Sequence, residues 1–263
     1  MNLLSLNVHA WLEENQDEKL EHLAETIAEK NYDVIALQEV NQTISAPKVS
    51  GELGKDNYGL ILLDLLRQKG LTAYSYHWSM SHIGYDIYDE GIAILTKYKV
   101  LEAEGFYTSK SQDIHTIDSR KIIRLKLEVN NRLLEVYSCH MNLPTSQRES
   151  QIDNLQRLVN HSHFSGLKIF IGDFNTDALG NPEDYQTILD QGLLDTYQLA
   201  KKKDSGVTVS QSIDGWKGQK QDKRLDYIFV NQEISVQCSR VIFNGQNKPV
   251  VSDHFGLEVT LKI

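Results

Sequence analysis

Cysteine is scarce in this chain of 263 residues, with Cys139 and Cys238 the only two. They stand far apart and neither belongs to a Cys-x-x-Cys pair, which argues against a zinc site or a dithiol redox motif. Two such residues in a chain this long fit buried free thiols in a reducing cytosol, and a single disulfide stays compatible with the sequence. Proline is sparse too, at four residues, and glycine numbers sixteen. That composition gives no support to a fibrous or disordered chain. No window approaches the ~18 consecutive apolar residues of a membrane span. The N-terminal stretch MNLLSLNVHAWLEENQDEKL lacks a basic opening and meets acids too early for a signal peptide. A cytoplasmic protein without membrane association is expected. A basic face is missing as well. Net charge is −9, and the basic runs are Lys201 to Lys203 and an interrupted stretch from Lys217 to Arg224. Non-specific nucleic-acid binding is driven by cations that displace counterions from phosphates, so the charge weighs against a nucleic acid partner.

What is present is ordinary for a globular protein: 40% hydrophobic and 24% charged residues. Strand-like and helix-like segments alternate. Leu3 to Val8 and Val34 to Leu37 read as buried strands, the second ending at Gln38-Glu39. Asn15 with Glu18 forms a capping box ahead of Leu20, Leu23, Ala24, Ile27 and Ala28, which share one helical face. The polar stretch 41–57 reads as a loop, and Leu60 to Leu66 as a buried helix ending near Gly70. Strands are expected at Ala73 to Met80, Gly91 to Leu95, Ile122 to Val129 and Leu133 to Cys139, with Asn130-Asn131 as a hairpin turn. Ser146 and Glu149 form another capping box, ahead of a helix bearing Ile152, Leu155 and Val159. Lys168 to Ile171 is a strand, Asn181-Pro182 opens a short helix, and 201–224 reads as a long surface loop. Leu225 to Val230 and Leu257 to Ile263 are the last strands. With no repeat and no shift of composition, residues 1–263 read as one α/β domain with two sheets flanked by helices.

The polar residues carry the chemistry. Apolar strands run into Asn7, into Glu39, into His140 and Asn142, and into Asp173 and Asn175, while Asp253-His254 precedes the final strand. Strand ends that lie side by side bring such groups together, and burying unpaired acids is costly, so a cation among them is implied. Singly, each residue has an ordinary reading: a turn asparagine, a loop glutamate, a structural histidine. Glu90 reads equally as a strand cap and Arg120 as a surface residue, with Arg124 nearby a rival for any role it has. Asp226, inside an apolar strand, needs a buried partner. As an ordered set these residues are hard to explain by accident. His9, His22, His77, His82, His115, His161 and His163 match no motif. Trp11, Trp78 and Trp216 read as core or rim.

The set SLNVH, ALQEV, DEGIAIL, SRKIIRL, YSCHMN, IGDFNT, RLDYIFV and VSDHFG resembles the endonuclease/exonuclease/phosphatase superfamily, in order and over nearly the whole chain. The resemblance implies a four-layer α-β-β-α sandwich of two mixed sheets. It implies a Mg²⁺-dependent phosphoesterase, with Mn²⁺ an alternative ion, in which Glu39 is the main metal carboxylate, flanked by Asn7 and Asp253. Asp173 would take a proton from the attacking water and Asn175, on the same face of an extended segment, would orient it. His254, held by Asp226, and His140, held by Glu90, would contact the phosphoryl group. Arg120 and Asn142 would bind the phosphate. The opening NVHAWLEENQDEKL with IALQEVNQ is similar to a bacterial branch, the maltose-6-phosphate phosphatases. A small phosphorylated sugar is therefore the expected substrate, with loops 41–57 and 201–224, Trp11 and Trp216 supplying contacts. A DNA nuclease, abasic-site or non-specific, is the runner-up. A catalytically silent binding module is disfavoured by the complete motif set.

Overall fold

Alternation along the first strand, β1 (Asn2–Asn7), sets the layers. Leu4 and Leu6 point to one side and pack in a core under helices, whereas Leu3 packs into a second core between two sheets. Ser5 and Asn7 share the side of Leu3. The structure, a computed structural model, describes residues 1–143, 148–210 and 221–263.

After β1 come α1 (Gln16–Lys30), β2 (Val34–Thr43), β3 (Lys48–Ser50), β4 (Leu53–Gly54), α2 (Tyr58–Gln68), β5 (Ser75–Gly84) and β6 (Tyr88–Thr96). The next elements are β7 (Lys99–Tyr107), β8 (Lys121–Val129), β9 (Arg132–His140), α3 (Arg148–Asn160), β10 (Leu167–Asp173) and α4 (Pro182–Leu189). The chain then forms β11 (Leu194–Asp195), α5 (Thr196–Leu199), β12 (Lys202–Lys203), β13 (Asp226–Val230), β14 (Ser235–Ile242) and β15 (Gly256–Lys262).

Seven strands form one sheet in the order β12-β14-β15-β1-β2-β6-β5, and six form another in the order β11-β13-β10-β9-β8-β7. Both are mixed: β1 runs parallel to β2 and antiparallel to β15, and β10 runs parallel to β9 and antiparallel to β13. The sheets pack face to face through Val34, Ala36, Ile92, Ile94, Leu125, Val136, Ile169, Ile171 and Ile228. Helices α1 and α2 cover the outer face of the larger sheet with Leu20, Leu23, Ile27, Leu62 and Leu66. Helices α3 and α4 cover the other with Leu155, Leu158 and Ile188 against Tyr137, Phe170 and Phe229. This is the expected four-layer sandwich.

Several local expectations change. Asn15 precedes α1 in a left-handed conformation (φ 54°) and its side chain makes no capping bond, so the predicted capping box does not form. Strand β2 does not end at Gln38-Glu39 but continues to Thr43 across a bulge. The predicted 41–57 loop contains the end of β2 and the small β3-β4 hairpin. Strands β7 and β14 occupy segments the sequence reading leaves unassigned. Asn130 and Asn131 do turn the β8-β9 hairpin, with φ of 50° and 62°. Of the 201–224 loop, β12 pairs with β14 and Val209 bridges Lys223. The Ser146 capping box and Trp216 lie outside the described residues.

Candidate active site

Three neighbouring strands of the smaller sheet place His140, Asp173 and Asp226 in one row. Asp173 pairs in register with His140 on β9 and with Asp226 on β13. Alternation aims Ile169 and Ile171 between the sheets, so Asp173, two residues further, emerges at the same inner face. Gly172 is needed for this: a Cβ there would stand 1.9 Å from the carbonyl oxygen of Cys139, and its φ is 150°. Asp226 is fixed through its strand. Thr208 Oγ1 accepts from the amides of Leu225 and Asp226 at 3.0 and 3.2 Å. Arg224, paired with Asp195 and stacked among Tyr185, Tyr197 and Tyr227, anchors the segment just before it.

The larger sheet supplies the opposing wall. By plain alternation Glu39 would follow Ile35 and Leu37 under the helices. The bulge between Leu37 and Val40, with Glu39 at φ 54°, turns it toward Asn7 instead. Asn7 Nδ2 donates to Glu39 Oε1 at 2.8 Å and to Asp173 Oδ2 at 3.3 Å, joining the two sheets through one amide. The loop before β15 completes the ring. Ser252 Oγ donates to the Asn7 carbonyl at 2.7 Å. His254 Nδ1 lies 2.9 Å from Asp226 Oδ2, and its Nε2 lies 3.9 Å from Asp173 Oδ2. The expected pairing of His254 with Asp226 is thus present.

His140 Nε2 faces Glu39 and Asp173 at 3.8 Å each. Glu90, expected beside His140, faces His82 instead, with Oε1 3.3 Å from Nε2. A second irregularity, between Met80 and His82 on β5, brings His82 opposite Glu90. Arg120 is buried, its charge acts on Glu90, Glu39 and Asp173, and its Nε has no hydrogen-bond partner among the described residues. Its rival Arg124 is pinned elsewhere by Glu102, Glu104 and Glu135 at 2.9, 3.1 and 2.6 Å. Asn175 is not extended as expected. It turns left-handed at φ 50°, its amide donates to Asp173 Oδ1 at 2.8 Å, and its Nδ2 donates to the Met141 carbonyl at 3.0 Å. Asn142 is buried with its amide between the Asp118 carbonyl and Asn154 of α3.

Sequence reasoning missed His9, Glu13 and Lys19. His9 Nδ1 meets Glu13 Oε1 at 2.7 Å and lies 3.8 Å from Asp253 Oδ1. Glu13 also accepts from the Asp253 amide at 3.0 Å and pairs with Lys19 at 2.5 Å. The signal available was weak: an acid four residues after a histidine, close behind Asn7.

Burial dominates the electrostatics. It pushes the Asp173 carboxyl up to about 7, helped by the Asp226 charge. It pushes Glu90 up to about 8, helped by Glu39. Desolvation and then Arg120 hold His140 well below the usual imidazole range, and lower His82 to about 4. His254 goes the other way: burial opposes its charge, but Asp226 and Asp173 overcome that and raise it. Two carboxylates this reluctant to ionise mark a pocket short of positive charge. The donor oxygens suit a hard divalent ion. Ligand atoms of buried Asp173, Asp226 and His254 lie within 4.8 Å of one another, as do those of His9, Glu13 and Asp253. Asp226 Oδ1 is buried without a partner among the described residues. Glu39, Asn7 and Asp253, the expected ligands, stand at the same end of the sandwich. The arrangement fits a cation, and with Arg120 it fits a bound phosphate oxygen as well.

The profile of the Endonuclease/Exonuclease/phosphatase family matches residues 4–254. A solved endonuclease/exonuclease/phosphatase family protein from Leptotrichia buccalis C-1013-b is 49% identical, with a TM-score of 0.96 and full coverage of both chains. A mannosyl-6-phosphatase from Bacteroides thetaiotaomicron VPI-5482 shares the fold at 16% identity and a TM-score of 0.75, again over both whole chains. Truncated TDP2 of Caenorhabditis elegans does so at 16% identity and 0.71, over 100% of this chain and 97% of that one. No curated protein sequence matches.

Proposed function

Because the chain belongs to the Endonuclease/Exonuclease/phosphatase family, whose members hydrolyse phosphoesters and generally depend on divalent metals, we propose that it is a Mg²⁺-dependent phosphatase of a small phosphorylated sugar. The observation that carries this reading is the meeting of Asn7 and Glu39 from one sheet with Asp173, His140 and the Asp226–His254 pair from the other.

Each group has a task its surroundings suit. Glu39, Asn7 and Asp253 would hold the ion, which would neutralise a phosphate oxygen and the charge developing on the leaving group. Asp173, with its pKa lifted to about 7, is matched to accepting a proton from water near neutral pH. Asn175, whose amide is bonded to Asp173, holds that carboxylate in place. His254, kept charged by Asp226, and Arg120, with an unpartnered Nε, present donors to phosphoryl oxygens. His140 stays neutral and contributes an N–H without adding charge. Water oxygen bonds phosphorus, the phosphorus–oxygen bond to the sugar breaks, and the sugar oxygen takes up a proton. Stabilisation is by preorganised dipoles and charges, without a covalent intermediate.

The choice of a sugar over DNA is supported by charge. The chain carries −9 overall, and the turn after Gly84, which abuts Glu90, carries Asp86. A polyanion would be repelled there. The test is phosphate release with Mg²⁺ from maltose 6-phosphate, mannose 6-phosphate and glucose 6-phosphate, beside plasmid and abasic DNA. Released phosphate with intact DNA is the expected result. Nicked DNA with inert sugar phosphates would replace this reading with a nuclease.

A further inference from the structure

The rim of the site carries an exposed apolar plate that nothing in the hydrolytic chemistry requires. Strand β5 ends at Gly84, whose backbone abuts the site: a Cβ there would stand 2.9 Å from Glu90 Oε2. Tyr85, Asp86 and Ile87 then form the tip joining β5 to β6. Tyr85 and Asp86 both adopt left-handed backbone, with φ of 51° and 57°. That is the conformation of a tight hairpin turn, where asparagine and glycine are favoured and a bulky aromatic is not. Burial does not repay it, since Tyr85 is 66% and Ile87 54% exposed. A conformationally unfavourable, exposed aromatic beside a catalytic pocket is a signature of function.

The tip is also held rigidly. Ile44 N donates to the Ile87 carbonyl at 2.9 Å, and Ile83 N donates to the Ile114 carbonyl at 2.6 Å. Ile44 and Ile114, the outer members of these bonds, expose their own side chains. Partial burial raises the Tyr85 hydroxyl pKa, and the nearby charges of Glu39, Glu90 and Asp253 add to that, so the tyrosine stands near the site. An exposed tyrosine, with Asp86 and Ile87 beside it in the turn, is thus held at the edge of the pocket.

We propose that Tyr85 is a specificity-determining residue that receives the apolar face of a hexopyranose leaving group, with Ile87 and Ile44 extending the plate. The proposal rests on the sugar-phosphatase reading above and adds to it the surface that selects the leaving group. A pyranose ring has one face of C–H groups and an edge of hydroxyls. The face matches the aromatic plate, and the hydroxyls match carboxylate acceptors such as Asp86. A strand of DNA also offers flat bases, but its neighbouring phosphates would lie over the same acids.

The experiment compares wild type, Tyr85→Ala and Tyr85→Phe on glucose 6-phosphate and on glycerol 1-phosphate, which has no ring. Loss of the plate should lower kcat/KM for the hexose phosphate on the order of tenfold, the worth of one ring face taken from water. The change should lie in KM, and Tyr85→Phe should retain most of the activity. Glycerol 1-phosphate should be hydrolysed equally by all three. Unchanged hexose-phosphate kinetics in Tyr85→Ala, or equal losses on both substrates, would overturn the proposal and leave the phosphatase reading standing. A wild type inert to every sugar phosphate would remove the reading and the proposal together.

Discussion

At the residue scale, each buried acid of the site is held by a specific partner, because leaving a buried charge unpaired is costly. Asp226 sits inside an apolar strand, and an acid there demands a partner; His254 supplies it at 2.9 Å. Asp173 and His140 could be foreseen at strand ends, and register then sets them side by side. His82 and Glu13 were not legible. Nothing local marks a histidine in mid-strand as facing a glutamate on the next one, and the irregularity at Met80 that creates the contact has no sequence signature of its own. For that reason the sequence points Glu90 at His140, whereas the fold sets it against His82. The environment of Asp173 yields a sharp expectation. Asp173→Asn keeps the shape and the acceptor oxygen for Asn175 but removes the proton acceptor. Turnover should fall at least about a hundredfold, while the fold should persist: relief of a carboxyl that resists ionisation offsets the lost acceptor for Asn7 Nδ2. Near-normal turnover would remove Asp173 from the role of base.

At the element scale, apolar runs gave most strands of both sheets, and the two asparagines gave the β8-β9 turn. The strands that escaped, β7 and β14, lie toward sheet edges and lack a continuous apolar run. In β7 Glu102 and Glu104 face outward and pair with Arg124 and Lys126 on β8, so the strand is held by cross-strand charges and ladder bonds rather than by a buried stripe. The bulge at Gln38-Glu39 escaped too, because the period of a strand predicts continuation, not interruption. The IGDF segment shows how an element constrains the site. Gly172→Ala would drive a methyl group into the Cys139 carbonyl, 1.9 Å away, and β9 and β10 would have to part. A loss of about 3 kcal/mol or more is expected, seen as a thermal midpoint lowered by roughly 6 °C or more. A midpoint within a degree of wild type would show that the close approach of these strands is not needed.

At the scale of the whole molecule, two sheets meet through a core of aliphatic residues and then, at one end, through charges. That end is where stability and function conflict. Asp173 and Glu90 have pKa values raised to about 7 and about 8 by burial, and His254 is raised by Asp226 and Asp173. Each binds a proton more tightly in the folded state than unfolded, so each adds stability at low pH that is lost as pH climbs through its folded value. His140 and His82 are lowered and act in the opposite sense, but only below their ordinary value of 6.5. Above about pH 6.5 the raised groups dominate, since the lowered histidines become neutral in both states there. A divalent cation among the carboxylates would reverse their effect, because it binds their ionised forms and the folded chain only.

The thermal midpoint of the metal-free protein, followed from pH 6.5 to 8.5 with and without Mg²⁺, therefore tests the convergence of these charges on one ion most directly. The midpoint should fall as pH rises without the ion. Added Mg²⁺ should raise it, most at the alkaline end, and Glu39→Gln should blunt that rise. A midpoint that climbs with pH in the metal-free protein, or that ignores Mg²⁺ throughout, would contradict a shared cation site.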